Sequence, residues 1–391
     1  MNMLFLGLAF DPVEEGSLLR DSKIGLQNAT NNFQIKLIRG LKQVGVNLMS
    51  VSSLPVASFP KFNRICIHGS ETDLINKQLR LINLPLLKQL GRIAGEAKWL
   101  RSWAGQSTNN REVLIYHLYI PHLLAVAINK SRIPDLKVTA VVPDLVGRYG
   151  VLPKNRLRKS IRLLNGYFID LLLKYVDRYV VLTDDMPKAL GVENEPYIVL
   201  EGIASSTCVP RRFHFHSPVT AFYAGSLGFA SNALGLVTQI HESDLANFRL
   251  VVCGSGTDED RIKSISAKDD RIDYMGYLPL EDVERLREES DILINPRPND
   301  EFAKYSFPSK TIDYLQAGKP TICCKLDGIP HDYDKYLFYS DSDQFVKTIS
   351  EVIDMDECEL ADLSFEAANY LSHSKSEIAQ ASRVISFICS K

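Results

Sequence analysis

The stretch DILINPRPNDEFAKYSFPSKTIDYLQAGKP, residues 291–320, decides the fold. Its apolar start has the length of a buried strand and ends at Asn295-Pro296. A polar loop then carries Arg297, Asp300, Glu301, Lys304 and Lys310. A helix is predicted to open near Ser309, just after Pro308. It stops at Gly318, and Pro320 bars its continuation. Strand, polar loop and helix in that order are the repeating element of a parallel sheet covered by helices.

The same alternation runs outward in both directions. Strands are predicted at 3–10, 46–51, 64–68, 113–117, 138–142 and 178–183, then at 219–224, 248–253, 272–275, 291–295 and 320–324. Helical patterns between them include Asn32–Val44, Leu157–Tyr175, Ala233–Ser243, Leu280–Glu289 and Ser309–Gln316. The alternation pauses at Glu201–Pro218, a stretch with Gly202, Pro210 and Pro218 and no periodicity. The expectation is an α/β protein of two Rossmann-like, doubly wound domains with a cleft between them. The boundaries are 1–203, a linker at 204–218, 219–360, and helices at 361–391 that return to the first domain. In such sheets ligands lie beyond the carboxyl ends of the strands.

Charge divides at the same place. The 391 residues carry 45 Lys+Arg and 47 Asp+Glu, a formal net charge of −2. Residues 1–215 hold 28 basic and 17 acidic side chains, and residues 216–391 hold 17 and 30. The overall balance does not suggest a nucleic-acid binder, and the split implies two domains with different partners. The hydrophobic content of 45% excludes disorder and fibres. Seven Cys without a Cys-x-x-Cys read as reduced structural thiols, with Cys323 and Cys324 in strand core rather than on a metal. Met1–Phe10 reads as a first strand and not a signal peptide, for it has no basic start. The longest apolar run, 113–128, is broken by His117, Pro121 and His122, which argues against a membrane span.

Three loops after strands carry candidate chemistry. DPVEEGSLLRDSKIG (11–25) lacks the Gly-x-Gly-x-x-Gly fingerprint, so dinucleotide binding is disfavoured, but Gly16 and Ser17 can bring backbone amides to a sugar or phosphate. An ordinary surface loop is the equal alternative. Gly254-Ser255-Gly256 follows the strand FRLVVC and allows a ligand close to the backbone, although such glycines often only make a turn. At the third loop, a helix N-terminus, the Ser309 hydroxyl and the Lys310 cation suit a diphosphate. Asp313, one turn further in, can accept from ribose hydroxyls, and Glu301 can meet a sugar. The competing reading makes Ser309 an N-cap and Glu301 and Lys304 a solvated pair.

YAGSL (223–227), RIDYMGYLPLEDVERLREESDILINPRP (271–298) and YSFPSKTIDYLQAGKP (305–320) resemble the nucleotide-sugar domain of GT-B glycosyltransferases. The nearest likeness is to the family-4 type that builds bacterial capsule and exopolysaccharide. KLDGIPHDYDKYLFY (325–339) extends the resemblance. VPDLVGRYG (142–150) and the run from VVLTDDMPKALGV to YIVLEGI (180–203) carry it loosely into the first half. The resemblance implies that Gly225 and Ser226 approach the donor phosphates, and that Tyr277 and Leu278 lie at a uracil base. Glu301 would stand near the donor sugar, Asp313 at the ribose, and Ser309 and Lys310 on the diphosphate. The sequence departs from the pattern in three ways. An aspartate, Asp313, replaces the second of the family's paired glutamates. Eleven residues rather than seven separate it from Glu301. The family's Lys-Gly is absent from LGFASNALG (227–235), which leaves Arg297, Lys304 and Lys310 to face the phosphates.

The implied enzyme is a hexosyltransferase using a UDP-sugar, with Glu301, Lys310 and Arg297 as catalytic candidates and no required metal. The Asp341-Ser342-Asp343 triplet reads as a solvated turn. The resemblance implies retention of anomeric configuration. An inverting enzyme would need an acceptor-side base, for which His117 and Asp144 stand after first-domain strands. Basic amphipathic segments at 78–103 (Arg80, Lys88, Arg92, Lys98, Arg101) and 152–164 (Lys154, Arg156, Arg158, Lys159, Arg162) suit an anionic membrane surface. A lipid-linked saccharide acceptor and a place at the inner face of the bacterial plasma membrane follow as expectations, and a homo-oligomer is compatible with them. Two other readings stand beside this one, a non-catalytic GT-B partner subunit and a nucleotide-sugar epimerase of related architecture.

Overall fold

The computed structural model describes residues 1–106, 111–145, 156–205 and 213–390. Lys154, Cys208, residues 146–150 of the VPDLVGRYG segment and residues 206–212 of the expected linker lie outside them. The chain divides into two units. Met1–Ile203 joins with Ser376–Lys391, and Ala204–Lys375 forms the second unit.

The first unit is built on a seven-stranded parallel sheet. Its order is Lys77–Gln78, Asn47–Ser52, Asn2–Gly7, Arg111–Tyr116, Leu136–Val142, Arg178–Val181, Tyr197–Val199. Met3 to Leu6 are fully buried, which is why that strand reads as continuous apolar sequence rather than as alternation. The chain starts at Asn2–Gly7, builds outward on one side, and then crosses to Arg111–Tyr116 on the other. The topological switch therefore lies between Gly7 and Tyr116. The predicted strand at 64–68 shrinks to Cys66–Ile67, which pairs antiparallel with Leu81–Ile82 outside the main sheet.

A six-stranded parallel sheet forms the second unit. Its order is Ile272–Gly276, Phe248–Ser255, Val219–Ser226, Ile292–Asn295, Thr321–Cys323, Phe338–Tyr339. The order reverses between Val219–Ser226 and Ile292–Asn295, so this sheet's switch lies beyond Ser226 and Asn295. Cys323 and Cys324 are buried in this core, and burial pushes the Cys324 thiol up to about 12. Cys66, Cys358 and Cys389 are exposed, which corrects the reading of all the thiols as structural.

The tail at 361–391 does not behave as one block. The helix Glu357–Ser374 belongs to the second unit. Ser376 then caps a new helix, Glu377–Cys389, which belongs to the first. There Gly40 admits the passing chain, for a Cβ would sit 2.1 Å from the Glu377 carbonyl oxygen. Gln380 Nε2 donates to the Gly202 carbonyl at 2.7 Å, and Ala381, Val384 and Ile388 complete the core against Leu37 and Leu41.

The helix Pro85–Gln106 overturns part of the expected basic surface. Lys88, Arg92 and Glu96 recur every four residues and face inward, only 3%, 5% and 1% exposed. Lys88 Nζ donates to the Val56 carbonyl at 2.5 Å and to Asn83 Oδ1 at 2.9 Å. Arg92 Nη2 donates to the Leu54 carbonyl at 2.7 Å. Glu96 Oε2 meets His122 Nδ1 at 2.8 Å, both buried. A stripe read as membrane-facing charge is thus an internal polar network, because irregular backbone at Leu54–Val56 needs donors. Among the described residues no helix is long and apolar enough to cross a membrane.

Burial, reinforced by the Arg92 charge, pulls the Lys88 ammonium from its ordinary 10.5 down to about 8. The folded state therefore releases this proton before the unfolded state does, and stability contributed by Lys88 rises between pH 8 and pH 10.5. Denaturant midpoints read by Trp fluorescence should show the wild type gaining on Lys88→Met across that window. A constant difference between the two proteins would refute this.

Candidate functional site

At the switch of the second sheet lies a cavity of about 330 Å³. Tyr223 and Ser226 reach it from one strand end, and Asn295 and Arg297 from the other. Ala230 and Ser231 close one side, and Ser306 to Lys310 form the opposite wall. Ser309 opens the helix Ser309–Gln316, whose N-cap position is taken by Pro308 without any side-chain cap. Ser309 is therefore not the cap, and it is exposed at the cavity. The first-turn amides and the helix dipole are directed where an anion would sit.

Lys310 is half-buried and reaches across to the opposite strand, with Nζ 5.7 Å from the Tyr223 ring centroid. Burial lowers the pKa of its ammonium, the Asp313 charge opposes that, and Arg297 adds to it. Gly225 is the condition for this reach, since a Cβ there would lie 2.6 Å from both Cε and Nζ of Lys310. Arg297 Nη1 donates to Ser306 Oγ at 3.2 Å, which aims a second cation into the same space. Two tyrosines lock the strand end. Tyr223 donates its hydroxyl to the Ser226 carbonyl at 2.8 Å, and the Ala224 amide donates to the Tyr314 hydroxyl at 3.2 Å. Burial holds the Tyr223 phenol up at about 12, so it stays a neutral donor.

Gly225, Ser226, Arg297, Ser309 and Lys310 thus come together. Other predicted residues do not. Gly254 has φ +136°, and a Cβ on it would stand 1.8 Å from the Gly225 carbonyl oxygen. A Cβ on Gly256 would stand 2.2 Å from that of Leu227. Their lack of side chain admits the neighbouring strand end, and neither lines the cavity. Gly276 turns the chain at φ +74°, after which Tyr277 is exposed and Leu278 packs on Phe222 and Leu293. Glu301 is exposed and does not line the cavity. At the family's seven-residue spacing the place before Asp313 belongs to Tyr305. Lys304 lies with Nζ 5.1 Å from the Tyr305 ring and outside the lining, and Asp313 is half-buried one turn in. Ser231, Asn295, Ser306 and Phe307 line the cavity without having been singled out. Asn295 and Ser306 could have been found from their places at a strand end and before Pro308.

Asp341 and Asp343 are exposed, and the Ser342 carbonyl between them accepts from Asn232 at 3.1 Å and Gln239 at 3.0 Å. Among the described residues no group of three or more His, Cys, Asp or Glu is gathered as a metal site needs.

The first unit has a separate candidate at its own switch. His117, directly after Arg111–Tyr116, sits at φ +75°, rare for a residue with a side chain. Its amide donates to the Val141 carbonyl at 2.7 Å, and its carbonyl accepts from the Tyr119 amide at 2.7 Å. Nε2 lies 2.9 Å from Asp144 Oδ1, while Nδ1 is buried without a partner among the described residues. Backbone strain and an unsatisfied buried nitrogen at a strand end keep His117 a candidate. Gly16 and Ser17 lie in the first turn of the helix Glu15–Asp21, and the Ser17 hydroxyl donates to the Glu14 carbonyl at 3.0 Å.

Replacing His117 by Gly should relieve the strain and raise the unfolding free energy by about 1 kcal/mol. Equilibrium denaturation checks this. A clear loss of stability would mean that the imidazole contacts outweigh the strain.

Residues 220–355 match the family described as glycosyl transferases group 1. Solved structures share the whole architecture at low identity. Sucrose-phosphate synthase from Thermosynechococcus elongatus is 12% identical with TM-score 0.65, covering 99% of this chain and 98% of that one. HepE from Anabaena in complex with UDP is 13% identical with TM-score 0.62, covering 99% of each. The lipopolysaccharide outer core galactosyltransferase WaaB is 12% identical with TM-score 0.60, also covering 99% of each. No curated protein matches the chain in sequence. Two parallel, doubly wound sheets and these structural likenesses identify the chain as one with the GT-B fold, in whose second unit residues 220–355 are similar to glycosyl transferases group 1.

Proposed function

We propose that the chain transfers a hexosyl group from a UDP-sugar to a lipid-linked saccharide in the assembly of a bacterial surface polysaccharide, at the inner face of the plasma membrane. The observation that carries the donor half is the cavity at the second switch. It is lined by Arg297, Lys310 and the amides of an uncapped helix start, and no carboxylate is among its lining residues. That is the composition a diphosphate needs. HepE, which shares the fold, is in complex with UDP. WaaB, which also shares it, is a lipopolysaccharide galactosyltransferase, and this supports the acceptor half.

In the proposed reaction the bond from the anomeric carbon to the diphosphate oxygen breaks. A new bond forms from that carbon to the acceptor oxygen, and the acceptor proton passes to the departing phosphate. Negative charge grows on the diphosphate as the bond lengthens, and Lys310, Arg297 and the helix amides meet it there. These groups take the place a divalent metal would fill, so none is required. Retention of configuration follows if the acceptor enters on the face the diphosphate leaves, with its phosphate as the base. An inverting course would assign the base to His117, held by Asp144. A catalytically silent partner subunit would have no need for two cations around the cavity. An epimerase would need more ionisable groups at the sugar than Glu301, which is exposed.

Thermal shift with UDP, GDP and ADP should give the largest stabilisation with UDP. Lys310→Met should weaken UDP binding by about tenfold or more, the worth of one charge-assisted hydrogen bond. Gly225→Ala should weaken UDP binding as well, because its Cβ would stand 2.6 Å from Cε and Nζ of Lys310, and it should lower the melting temperature, because the same Cβ would stand 2.9 Å from the Tyr223 hydroxyl that holds the strand end. No shift with any nucleoside diphosphate would sink the donor reading. UDP release from a UDP-sugar in the presence of lipid extract should survive exhaustive chelation. Loss that Mn or Mg restores would overturn the metal-free mechanism.

A further inference from the structure

Three segments of the first unit meet on one surface. The Lys23 amide donates to the Lys61 carbonyl at 2.9 Å, and Ser22 bridges to Phe62. The Phe59 amide donates to the Asn83 carbonyl at 3.0 Å, and the Asn83 amide to the Ile65 carbonyl. Asn83, fully buried, also donates its side-chain amide to the carbonyls of Ala57 at 3.1 Å and Arg64 at 3.0 Å. One asparagine thus ties the loop at 57–65 to the start of the helix Pro85–Gln106, and the surface is preformed.

Large apolar side chains stand out of this platform. Leu86 is 80% exposed, Ile24 65% and Leu90 61%, and Phe59, Ile65, Ile82, Leu84 and Leu87 are also exposed. The helix is turned so that its early leucines face solvent while Lys88 and Arg92 face inward, the reverse of an ordinary surface helix. Soluble chains do not leave such a patch bare without a partner. The charges say which partner. Residues 22–24, 59–66 and 80–90 contain no acid at all. Lys23, Lys61, Arg64 and Arg80 are exposed among the apolar groups, and Arg64 is paired with Asp21.

We propose that this surface docks on an anionic lipid bilayer, with Leu86, Leu87 and Leu90 entering the headgroup region and Lys23, Lys61 and Arg80 meeting lipid phosphates. Apolar groups ringed by cations match a negatively charged interface. A second copy of the chain is the poorer occupant, since a two-fold contact would set these cations against themselves. The inference deepens the proposed function, which supplies the reason a membrane is near, but docking needs no sugar transfer. It also relocates the membrane contact from the basic helical stripe expected from sequence, whose Lys88 and Arg92 are internal.

Co-sedimentation of the full chain with two kinds of vesicle tests this, phosphatidylcholine alone and an equal mixture with phosphatidylglycerol. The chain should bind the mixed vesicles. Leu86→Ser with Leu90→Ser should weaken that binding at least about tenfold, because two leucines no longer leave water. Lys61→Gln and Arg80→Gln should each lower the preference for the anionic vesicles by about fivefold. All four positions are exposed, so an unchanged melting temperature is expected and is measured alongside. Equal binding to both vesicles, or undiminished binding by the leucine variant, overturns the proposal. So does a dimer seen by light scattering without lipid that the leucine variant dissolves. UDP thermal shift on the same preparations separates the two readings. Vesicle binding without a UDP shift leaves the surface standing and removes the donor site, and the opposite result does the reverse.

Discussion

The approach of Lys310 to Gly225 is the contact on which the second unit's site depends. A cation on the first turn of one helix reaches the carboxyl end of a neighbouring strand only because that strand carries no side chain there. The strand end is in turn held by the Tyr223 and Tyr314 hydroxyls and admits its own neighbour only through Gly254 and Gly256. Three glycines, two phenols and one ammonium therefore form a single arrangement. The cavity between them is what remains once backbones and side chain have come as close as their atoms allow.

The first unit meets a different constraint in the same way. Backbone carbonyls at Leu54 and Val56 lie inside the protein and belong to no strand, so donors must reach them. Lys88 and Arg92 do so from the helix Pro85–Gln106. Turning its cations inward obliges that helix to turn leucines outward. Internal satisfaction and an apolar surface are two consequences of one helix rotation, and neither is visible in residue composition alone.

Sheet membership was legible because parallel strands are buried on both faces and leave unbroken apolar runs such as Met3–Leu6 and Ile292–Ile294. The two-residue edge strands Lys77–Gln78 and Phe338–Tyr339 left no such trace, since edge pairing needs little apolar sequence. At the candidate site, Ser309, Lys310 and Arg297 were legible because local rules place hydroxyls and cations at strand and helix ends, whereas Gly225 and Ser226 came from the family resemblance. Glu301 could not be placed from sequence, because a carboxylate near a motif looks the same whether it faces a cavity or water. Gly254 and Gly256 were ambiguous, because glycine admits a strand as readily as a ligand.

What the sequence by itself determined is the class of the protein. Hydrophobic period, breaker residues and helix-start chemistry are properties of neighbours along the chain, and they suffice for two doubly wound α/β units and for a phosphate-suited helix start. The tertiary structure alone decided which charges are inside, which leucines are outside, and which residues share the cavity. Those depend on the rotation of helices and the spacing of strands that are distant in sequence. Lys88 and Lys98 are the same residue type on one helix, and only packing buries the first and leaves the second in water.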